Sequence, residues 1–499
     1  MSAPVATAIL LDALPDKTVL GRPPATVTGI AYDSRKVAPG ECFVAVAGYK
    51  QDGRRYIADA LARGAALVVA EGADPLADQP TPRVLVPAAR EALARLADAY
   101  WAHPSRALTL VGITGTNGKT TTSFLVEALL RAAGHRTGLI GTIQYRVGDQ
   151  AVDASQTTPE AVELQALLAR MRDGGITGAA MEVSSHALAL SRVAGTEFDV
   201  AVFTNLTQDH LDFHGTLEEY ARAKRRLFEA LASGKKSRRA AVVNADDPAG
   251  AGMVRGLSLD TLRFGIRGAS EIFPRKFTSG IDGIHMEVKT PRGELTITSP
   301  LVGEHNVMNL LGAVGVGVAL EMPLATIGAA LAAVTSVPGR FERVEAGQTF
   351  LVVVDYAHTP DALERVLTTA RRLVPSGGRL AAVFGCGGDR DRGKRPIMGE
   401  IAARIADRVW VTSDNPRTES PEAIVAEVMV GVARAGAGAG AHVAMPDRQA
   451  AIHDALGWAR GGDVVVIAGK GHETYQIVGS SVLPFDDRAV ARAFLERAP

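Results

Sequence analysis

A glycine-punctuated segment, Gly112-Ile-Thr-Gly-Thr-Asn-Gly-Lys-Thr-Thr121, carries the residue types needed to hold a polyphosphate. Glycines at 112, 115 and 118 allow a tight turn that exposes backbone N–H groups as a nest for phosphate oxygens. The positive end of a following helix adds to that nest. Gly115, Thr116, Asn117, Gly118, Lys119, Thr120 and Thr121 are therefore the expected nucleotide contacts. Lys119 is long enough to reach the outer phosphates, and the Thr120 hydroxyl is placed to ligate Mg²⁺. The strict phosphate-loop pattern has glycine at the position of Ile113, and an ordinary strand-to-helix turn is the competing explanation. An apolar run from Leu108 to Val111 before the loop, and a helical pattern from Ser123 to Ala133 after it, decide for nucleotide binding. The expected ligand is a nucleoside triphosphate.

Two further polar clusters, Met181-Glu-Val-Ser-Ser-His186 and Thr204-Asn-Leu-Thr-Gln-Asp-His-Leu-Asp-Phe-His-Gly215, each follow a short apolar run. Open α/β sheets bind their ligands at such strand ends. Glu182 and His210 offer a carboxylate and an imidazole as metal ligands beside the triphosphate. A single histidine is more often a satisfied structural residue. Here His186, His210 and His214 occur together with Asp209, Asp212 and Glu182, which favours function. The His-x3-His spacing suggests zinc, but no cysteine or further histidine completes such a site. Mg²⁺ with ATP is the better reading.

The elements that must position these residues repeat a strand–helix alternation, which predicts an α/β fold built on parallel sheets. At 499 residues, and about 150 per domain, three domains are expected. The first, 1–105, is a smaller α/β domain ending at His103-Pro-Ser105. The second, 106–337, opens with the phosphate loop and continues with strands at Gly178 to Val183, Val200 to Thr204 and Ala240 to Asn244. Thr261 to Ser299, rich in Gly and Pro, reads as a β-rich flap on it. The third, 338–499, is a Rossmann-like α/β domain with strands at Leu351 to Val354, Leu380 to Phe384, Arg408 to Thr412 and Val464 to Ile467. Ala435-Gly-Ala-Gly-Ala-Gly-Ala441 is expected to be a surface loop.

Composition excludes several partners. Lys+Arg and Asp+Glu both total 54, so no global charge attracts nucleic acid or a membrane surface. The basic cluster Lys235-Lys-Ser-Arg-Arg239 is short and reads as solvated surface. No apolar run approaches the roughly 20 residues of a membrane span, and no signal peptide is visible. Cys42 and Cys386 make no disulfide framework and suit a reduced cytoplasm. A cytoplasmic enzyme is expected, working as a monomer.

In order and spacing, the phosphate loop and Glu182-Val-Ser-Ser-His186 resemble the Mur ligase family. So do Asn205-Leu-x-x-Asp-His210, His305-Asn-x-x-Asn309, Pro338-Gly-Arg-Phe-Glu342, Asp355-Tyr-Ala-His358 and Ser413-Asp-Asn-Pro-Arg417. The resemblance runs from Asp33-Ser-Arg35 to Gly469-Lys-Gly-His-Glu473. It implies an ATP-dependent amide ligase of peptidoglycan precursor synthesis, working through an acyl phosphate. The expected activity adds meso-diaminopimelate to UDP-N-acetylmuramoyl-L-alanyl-D-glutamate (UDP-MurNAc-L-Ala-D-Glu). By the same resemblance Lys119, His210 and Lys224 are catalytic, and Asn309, Arg340 and Asp355 reach the nucleotide.

Lys224 alone reads as one more cation on an exposed basic helix. The family carbamylates the lysine of its Ala-Lys-x-x-Leu-Phe motif, which implies an anion at Lys224 that joins Thr120, Glu182 and His210 around metal. Ser34 and the Tyr49-Lys50-Gln51 segment would receive the uridine diphosphate, and Thr157, Thr158, Ser184 and Arg192 the muramoyl-dipeptide. Gln156 stands where the family usually has asparagine, and Leu190 where many members have glutamine. A helix N-cap at Thr157-Thr-Pro159 is compatible with this role.

The amino-acid choice rests on Asp414-Asn-Pro-Arg417. Arg417 offers a planar fork for a carboxylate, and Asp414 and Asn415 are expected to accept from an ammonium. Pro416 holds their turn, and Arg390, Gly469 and Glu473 complete the set. This pattern fits the distal amine and carboxylate of meso-diaminopimelate. Lysine would leave Arg417 unpaired. A ligase adding D-Ala-D-Ala, a folylpolyglutamate synthase and a water-using P-loop ATPase are the rival readings.

Overall fold

The computed structural model describes residues 3–48, 52–77, 79–436 and 441–497. The chain divides into two compact units. One comprises 1–276, 287–296 and 308–331, and the other comprises 277–286, 297–307 and 332–499.

The first unit contains a five-stranded and an eight-stranded sheet, and Val5–Ala6 and Thr26–Val27 form a short antiparallel pair. Its five-stranded sheet runs Thr18–Leu20, Arg83–Val86, Leu67–Glu71, Cys42–Ala45, Ile30–Ala31, parallel except for the first strand. The helix Ala89–Tyr100 covers it with an apolar face that includes Leu93, Leu96 and Tyr100. The eight-stranded sheet places Thr109–Thr114 between Gly178–Glu182 and Val200–Phe203, all parallel. Ala240–Asn244 and Asp260–Phe264 extend the sheet in parallel on one side. Thr137–Ile140 flanks the other side, and the antiparallel pair Gln144–Val147 and Gln150–Asp153 closes that edge. The central strands are buried on both faces, which is why they read as continuous apolar runs instead of alternating ones.

The β-rich segment is more divided than expected. Asp260–Phe264 belongs to the main sheet, pairing with Ala240–Asn244 and burying Phe264. Only Phe273–Gly280, Gly283–Thr290 and Gly293–Ser299 form a separate three-stranded sheet. The basic cluster also departs from the surface reading. Lys236 is half-buried, pairing with Asp199 at 2.5 Å and donating to the Leu108 carbonyl. Arg239 bonds the carbonyls that end the preceding helix, those of Ala232 and Gly234 (2.7 and 3.0 Å).

The second unit is built on a six-stranded sheet ordered Glu342–Arg343, Leu351–Asp355, Val464–Ala468, Leu380–Cys386, Arg408–Ser413, Ala441–Ala444. All pairs but the first are parallel. Helices Pro360–Leu373, Lys394–Ile405 and Pro421–Arg434 pack on one face. Arg448–Trp458 and Asp487–Leu495 pack on the other. Residues 437–440 of the Ala/Gly run lie outside the described residues. No described helix is long and apolar enough to cross a membrane. Cys42 and Cys386 are free and buried, and burial pushes both thiols up to about 12.

Candidate functional site

The phosphate loop leaves the carboxyl end of Thr109–Thr114 and enters the helix Lys119–Ala132. Gly115 (φ +152°) leaves no room for a side chain, since a Cβ there would lie 1.8 Å from Thr204 Oγ1. Gly118 (φ +84°) is left-handed, and its Cβ would meet Asn309 Oδ1 at 2.4 Å. Asn309 is thus brought against the loop. Lys119 Nζ folds back to donate to the Gly115 and Thr116 carbonyls (3.0 and 2.8 Å). Thr121 is buried in the first helical turn.

The next loop straps this one down. Thr116 N donates to Asn205 O (2.9 Å) and Asn117 N to Asn205 Oδ1 (2.9 Å). Thr204 Oγ1 and Asn205 Nδ2 both donate to Asn117 O (2.6 and 3.1 Å). Thr207 N donates to Thr116 Oγ1 (3.0 Å). The nest is therefore rigid before any ligand arrives.

At the end of the neighbouring strand, the buried Glu182 gathers three threonine groups. Thr120 Oγ1 and Thr142 Oγ1 donate to its Oε2 (both 3.1 Å), and Thr142 N donates to its Oε1 (2.9 Å). Thr157 Oγ1 is 3.1 Å from Thr142 Oγ1. Thr158 does not cap a helix. Its hydroxyl donates to Glu182 O (2.9 Å) and accepts from Ser184 N (3.0 Å). The helix that follows, Ala161–Asp173, has Glu160 at its N-cap. Ser184 caps the short helix Ser185–Ala189, and Leu190 ends it. Arg192 joins this group, donating to Thr158 O (3.0 Å) and to Gln156 Oε1, and pairing with Glu160 at 2.6 Å.

Beside these residues a cavity of about 530 Å³ is lined by Tyr32, Lys36, Tyr145, Gln156, Glu160 and Glu163, among others. Tyr32 donates to Glu163 Oε1 (2.9 Å) across it. Ser34 is buried in the short 3₁₀ turn Ser34–Lys36, between these lining residues. Tyr49, Lys50 and Gln51 lie outside the described residues.

The helix Leu217–Ser233 carries Lys224 inward, not outward. Lys224 is 1 % exposed, and its Nζ sits 4.1 Å from the Tyr220 ring centre. Burial, and then the charge of Lys119, hold its amine well below the usual lysine range. The surface-cation reading fails because positions 220, 224, 227, 228 and 231 fall on one buried helix face. Thr116 and Ser185 both engage the Tyr220 hydroxyl, which burial pushes up to about 12. His186 packs against His210 and His214, with ring centres 4.8 and 5.5 Å away. Burial pushes His186 down to about 4 and lowers the other two, so neutral rings surround the buried lysine's helix near pH 7. His210 lies 3.5 Å from Asp209 and half exposed, with its ring turned to His186.

In the second unit, Asp355 ends its strand by accepting from Phe341 N (2.7 Å) and Ala357 N (2.8 Å). Burial raises its carboxyl, against the pull of Arg340, whose guanidinium lies 5.0 Å from the Tyr356 ring centre. The adjacent strand ends bring together Asp414, Asn415, Pro416, Arg417, Gly469 and Glu473. Asn415 Oδ1 already accepts from Lys470 Nζ (3.0 Å) and Ile477 N (2.9 Å). Its oxygen is filled, so the group it offers a ligand is its amide N–H, which donates to Glu473 Oε2 (3.0 Å). The acceptors for an ammonium here are Asp414 and Glu473. Arg417, left-handed at φ +51°, donates to Gly388 O (2.8 Å) and Asn415 O (3.4 Å). Arg390 is exposed and bonds its neighbour's carbonyl, Asp389 O (3.1 Å).

Three family models match the chain in succession. They are the Mur ligase family catalytic domain (26–101), the Mur ligase middle domain (113–317) and the Mur ligase glutamate ligase domain (339–471). The chain is 48 % identical to the UDP-N-acetylmuramoyl-L-alanyl-D-glutamate--2,6-diaminopimelate ligase of Geobacillus kaustophilus, over 94 % of each. This chain belongs to the Mur ligase family. It is 47 % identical to the ligase of the same name from Solibacter usitatus, over 94 % of each. A solved structure of a ligase of that name matches 99 % of both chains at 34 % identity, with a TM-score of 0.72.

Some residues that shape this Mur ligase's site carried no role in the sequence reading. Thr142, Thr204 and Thr207 are hydroxyls in loops, and nothing in their spacing points to Glu182 or Asn117. Lys470 lies inside the Gly469-Lys-Gly-His-Glu473 motif, and its flanking glycines, of which Gly471 brings the backbone close to Tyr356, are the available signal. Arg448 is buried with Asp487 and donates to the carbonyls of Ser413 (3.2 Å) and Ala468 (3.0 Å), the ends of two pocket strands.

Proposed function

We propose that this Mur ligase joins the amine of meso-diaminopimelate to the D-glutamyl carboxylate of UDP-MurNAc-L-Ala-D-Glu, driven by ATP. The observation that carries the reading is the two-signed pocket at the strand ends of the second unit. There Arg417 and the Asn415 amide stand beside Asp414 and Glu473. Such a set matches one carboxylate and one ammonium on the same carbon. The names of the near full-length relatives support it. Residues 1–105 would serve the uridine diphosphate, 106–337 the triphosphate and 338–499 the amino acid. The reaction belongs in the cytoplasm, on a monomer, with neither nucleic acid nor membrane as partner.

The chemistry follows from charge. The substrate carboxylate oxygen takes the γ-phosphoryl group, and ADP leaves. The incoming amine nitrogen then attacks the acyl carbon and loses a proton. Inorganic phosphate departs with the original carboxylate oxygen, leaving an amide. Lys119, now held by two carbonyls, is the cation available to the transferring phosphoryl group, and the loop N–H groups hold the rest. Asn309 closes the loop's far side.

Thr120 and Glu182 in contact form an all-oxygen pair, the donor type that suits Mg²⁺. Among the described residues no group of three or more His, Cys, Asp or Glu is set to hold a metal by itself. The remaining ligands would come from the nucleotide, from His210 and from Lys224. Burial lowers the Lys224 amine, and its neutral form can add to CO₂, releasing a proton and forming an anionic carbamate. That anion would suit the metal and offset Lys119. Mg²⁺, where bound, neutralises charge on the phosphates.

Phosphate release tests the reading. UDP-MurNAc-L-Ala-D-Glu with ATP and a panel of amino acids should release phosphate with meso-diaminopimelate and little with L-lysine. Release with water alone, or only with D-Ala-D-Ala, would overturn it.

A further inference from the structure

Lys470 is a fully buried ammonium at the floor of the amino-acid pocket. It follows the strand Val464–Ala468, between Gly469 (φ +117°) and Gly471 (φ +55°). Its Nζ donates to Asn415 Oδ1 (3.0 Å) and Tyr475 O (2.6 Å). It also lies 3.5 Å from Asp414 Oδ1 and 3.6 Å from Glu473 Oε2. Asp414 Oδ1 is itself buried and makes no hydrogen bond.

Two carboxylates packed this closely in a buried pocket cannot both stay ionised without a cation between them. One ammonium against two carboxylates leaves a single net negative charge, which is what one incoming ammonium needs. Lys470 also fixes the turn of the Asn415 amide. With the oxygen drawn inward by Lys470 and Ile477 N, the N–H group must face the ligand side.

We propose that Lys470 is a positioning residue for the amino-acid substrate, setting both the net charge of the Asp414–Glu473 pair and the direction of the Asn415 amide. The proposal rests on the ligase reading above and adds what gives its pocket two signs. Lys470 need not touch the substrate to do this.

The neighbours bear on its pH behaviour. Burial and Asp414 raise the Glu473 carboxyl, and Lys470 opposes them. Tyr356, at the end of its strand, is pushed up to about 12 by burial and then by Glu473, so it stays neutral. Arg448, tied to Asp487, adds a distant positive charge that Asp414 and Glu473 both feel. His358 faces Asp414 and is lowered by burial, so it is uncharged near neutrality. Lys470 is therefore the cation in direct contact with the pair.

Steady-state phosphate release should be followed for wild type, Lys470→Met, Lys470→Gln, Glu473→Gln and Lys470→Met/Glu473→Gln between about pH 6.5 and 9, below the ordinary lysine range. Wild-type KM for diaminopimelate should be flat with pH. Lys470→Met should raise it by about tenfold or more at neutral pH, with kcat and the KM for ATP little changed. That KM should fall as pH rises, because the carboxylate pair must shed the proton it gained. The double variant, with one carboxylate left, should lose the pH slope. Lys470→Gln keeps an N–H for Asn415 and should show the same slope, so it carries the test if the methionine variant does not fold. A KM within about twofold of wild type, or a rise equal at every pH, would overturn the proposal. An inactive wild type with diaminopimelate would instead sink the ligase reading, and this proposal with it.

Discussion

Thr120 donates its hydroxyl to Glu182 Oε2 at 3.1 Å, joining the phosphate loop to the end of the neighbouring strand. The contact arises because Gly178–Glu182 and Thr109–Thr114 are parallel partners, with Glu182 in register with Ile113. Glu182→Gln keeps the size and one carbonyl acceptor but removes the charge. Activity should then require about tenfold more Mg²⁺ for half-saturation, with little change in melting temperature. An unchanged Mg²⁺ titration would leave Glu182 as a structural acceptor only.

Lys119→Ala should abolish ligation while leaving the fold intact. Its Nζ donates to the Gly115 and Thr116 carbonyls of the loop, and the side chain belongs to none of the hydrophobic core clusters. A loss of about a hundredfold or more is expected when a preorganised charge at the transferring group is deleted. A folded variant keeping more than about a tenth of the wild-type rate would remove Lys119 from the chemistry.

The phosphate loop was legible because its glycines, lysine and flanking strand and helix are all local. Lys224 was placed in the site only by the family resemblance, because its helix taken alone reads as exposed. The arginines around it suggested a solvated helix, yet its spacing from Tyr220, Leu227 and Phe228 puts it on the buried face. Thr158 offered a local capping pattern that lost to two distant partners, Glu182 and Ser184. The Asn415 amide could not be oriented from sequence, since both of its donors lie more than fifty residues on. Parallel sheets bring such residues together only at strand ends, and local pattern does not encode which ends adjoin.

Lys224 gives a stability test with a definite sign. Its folded-state amine titrates well below the ordinary value of 10.5, so between those values the unfolded chain binds more protons. Stability contributed at this position therefore rises with pH across that window and is lost as pH falls. In CO₂-free buffer Lys224→Met should melt above wild type at low pH, with the gap closing as pH climbs toward the ordinary lysine value. A gap independent of pH, measured by calorimetry, would refute the burial argument. Separately, Lys224→Ala should be inactive and partly restored by small carboxylates. An intact-mass measurement showing only free amine in active enzyme would refute the carbamate.

Arg448 and Asp487 form an ion pair with both side chains at 0 % exposure and contacts of 2.6 and 2.7 Å. Arg448→Met leaves Asp487 buried without its partner and the Ser413 and Ala468 carbonyls without their donor. The expected loss is about 3–5 kcal/mol in denaturant unfolding. Arg448→Met/Asp487→Leu should recover part of that loss by removing the uncompensated charge. Equal stability of the single variant and wild type would show that the pair does not brace the strand ends.

We propose that Arg417 decides which amino acid is accepted. Its guanidinium is fixed by Gly388 O and Asn415 O, with the rest of the fork bonding no other described residue. A carboxylate on the distal carbon of the incoming amino acid can take that free edge, and L-lysine has none to offer. Arg417→Ala should therefore raise the KM for meso-diaminopimelate by an amount equivalent to about 2–5 kcal/mol, while the KM values for ATP and UDP-MurNAc-L-Ala-D-Glu hold. The loss should fall on diaminopimelate and spare lysine, so the ratio of their kcat/KM values should shrink. Kinetics with both amino acids on both proteins measures this directly. If wild type uses lysine as well as diaminopimelate, Arg417 does not select the substrate, and the ligation chemistry assigned to Lys119 and its loop is untouched by that result.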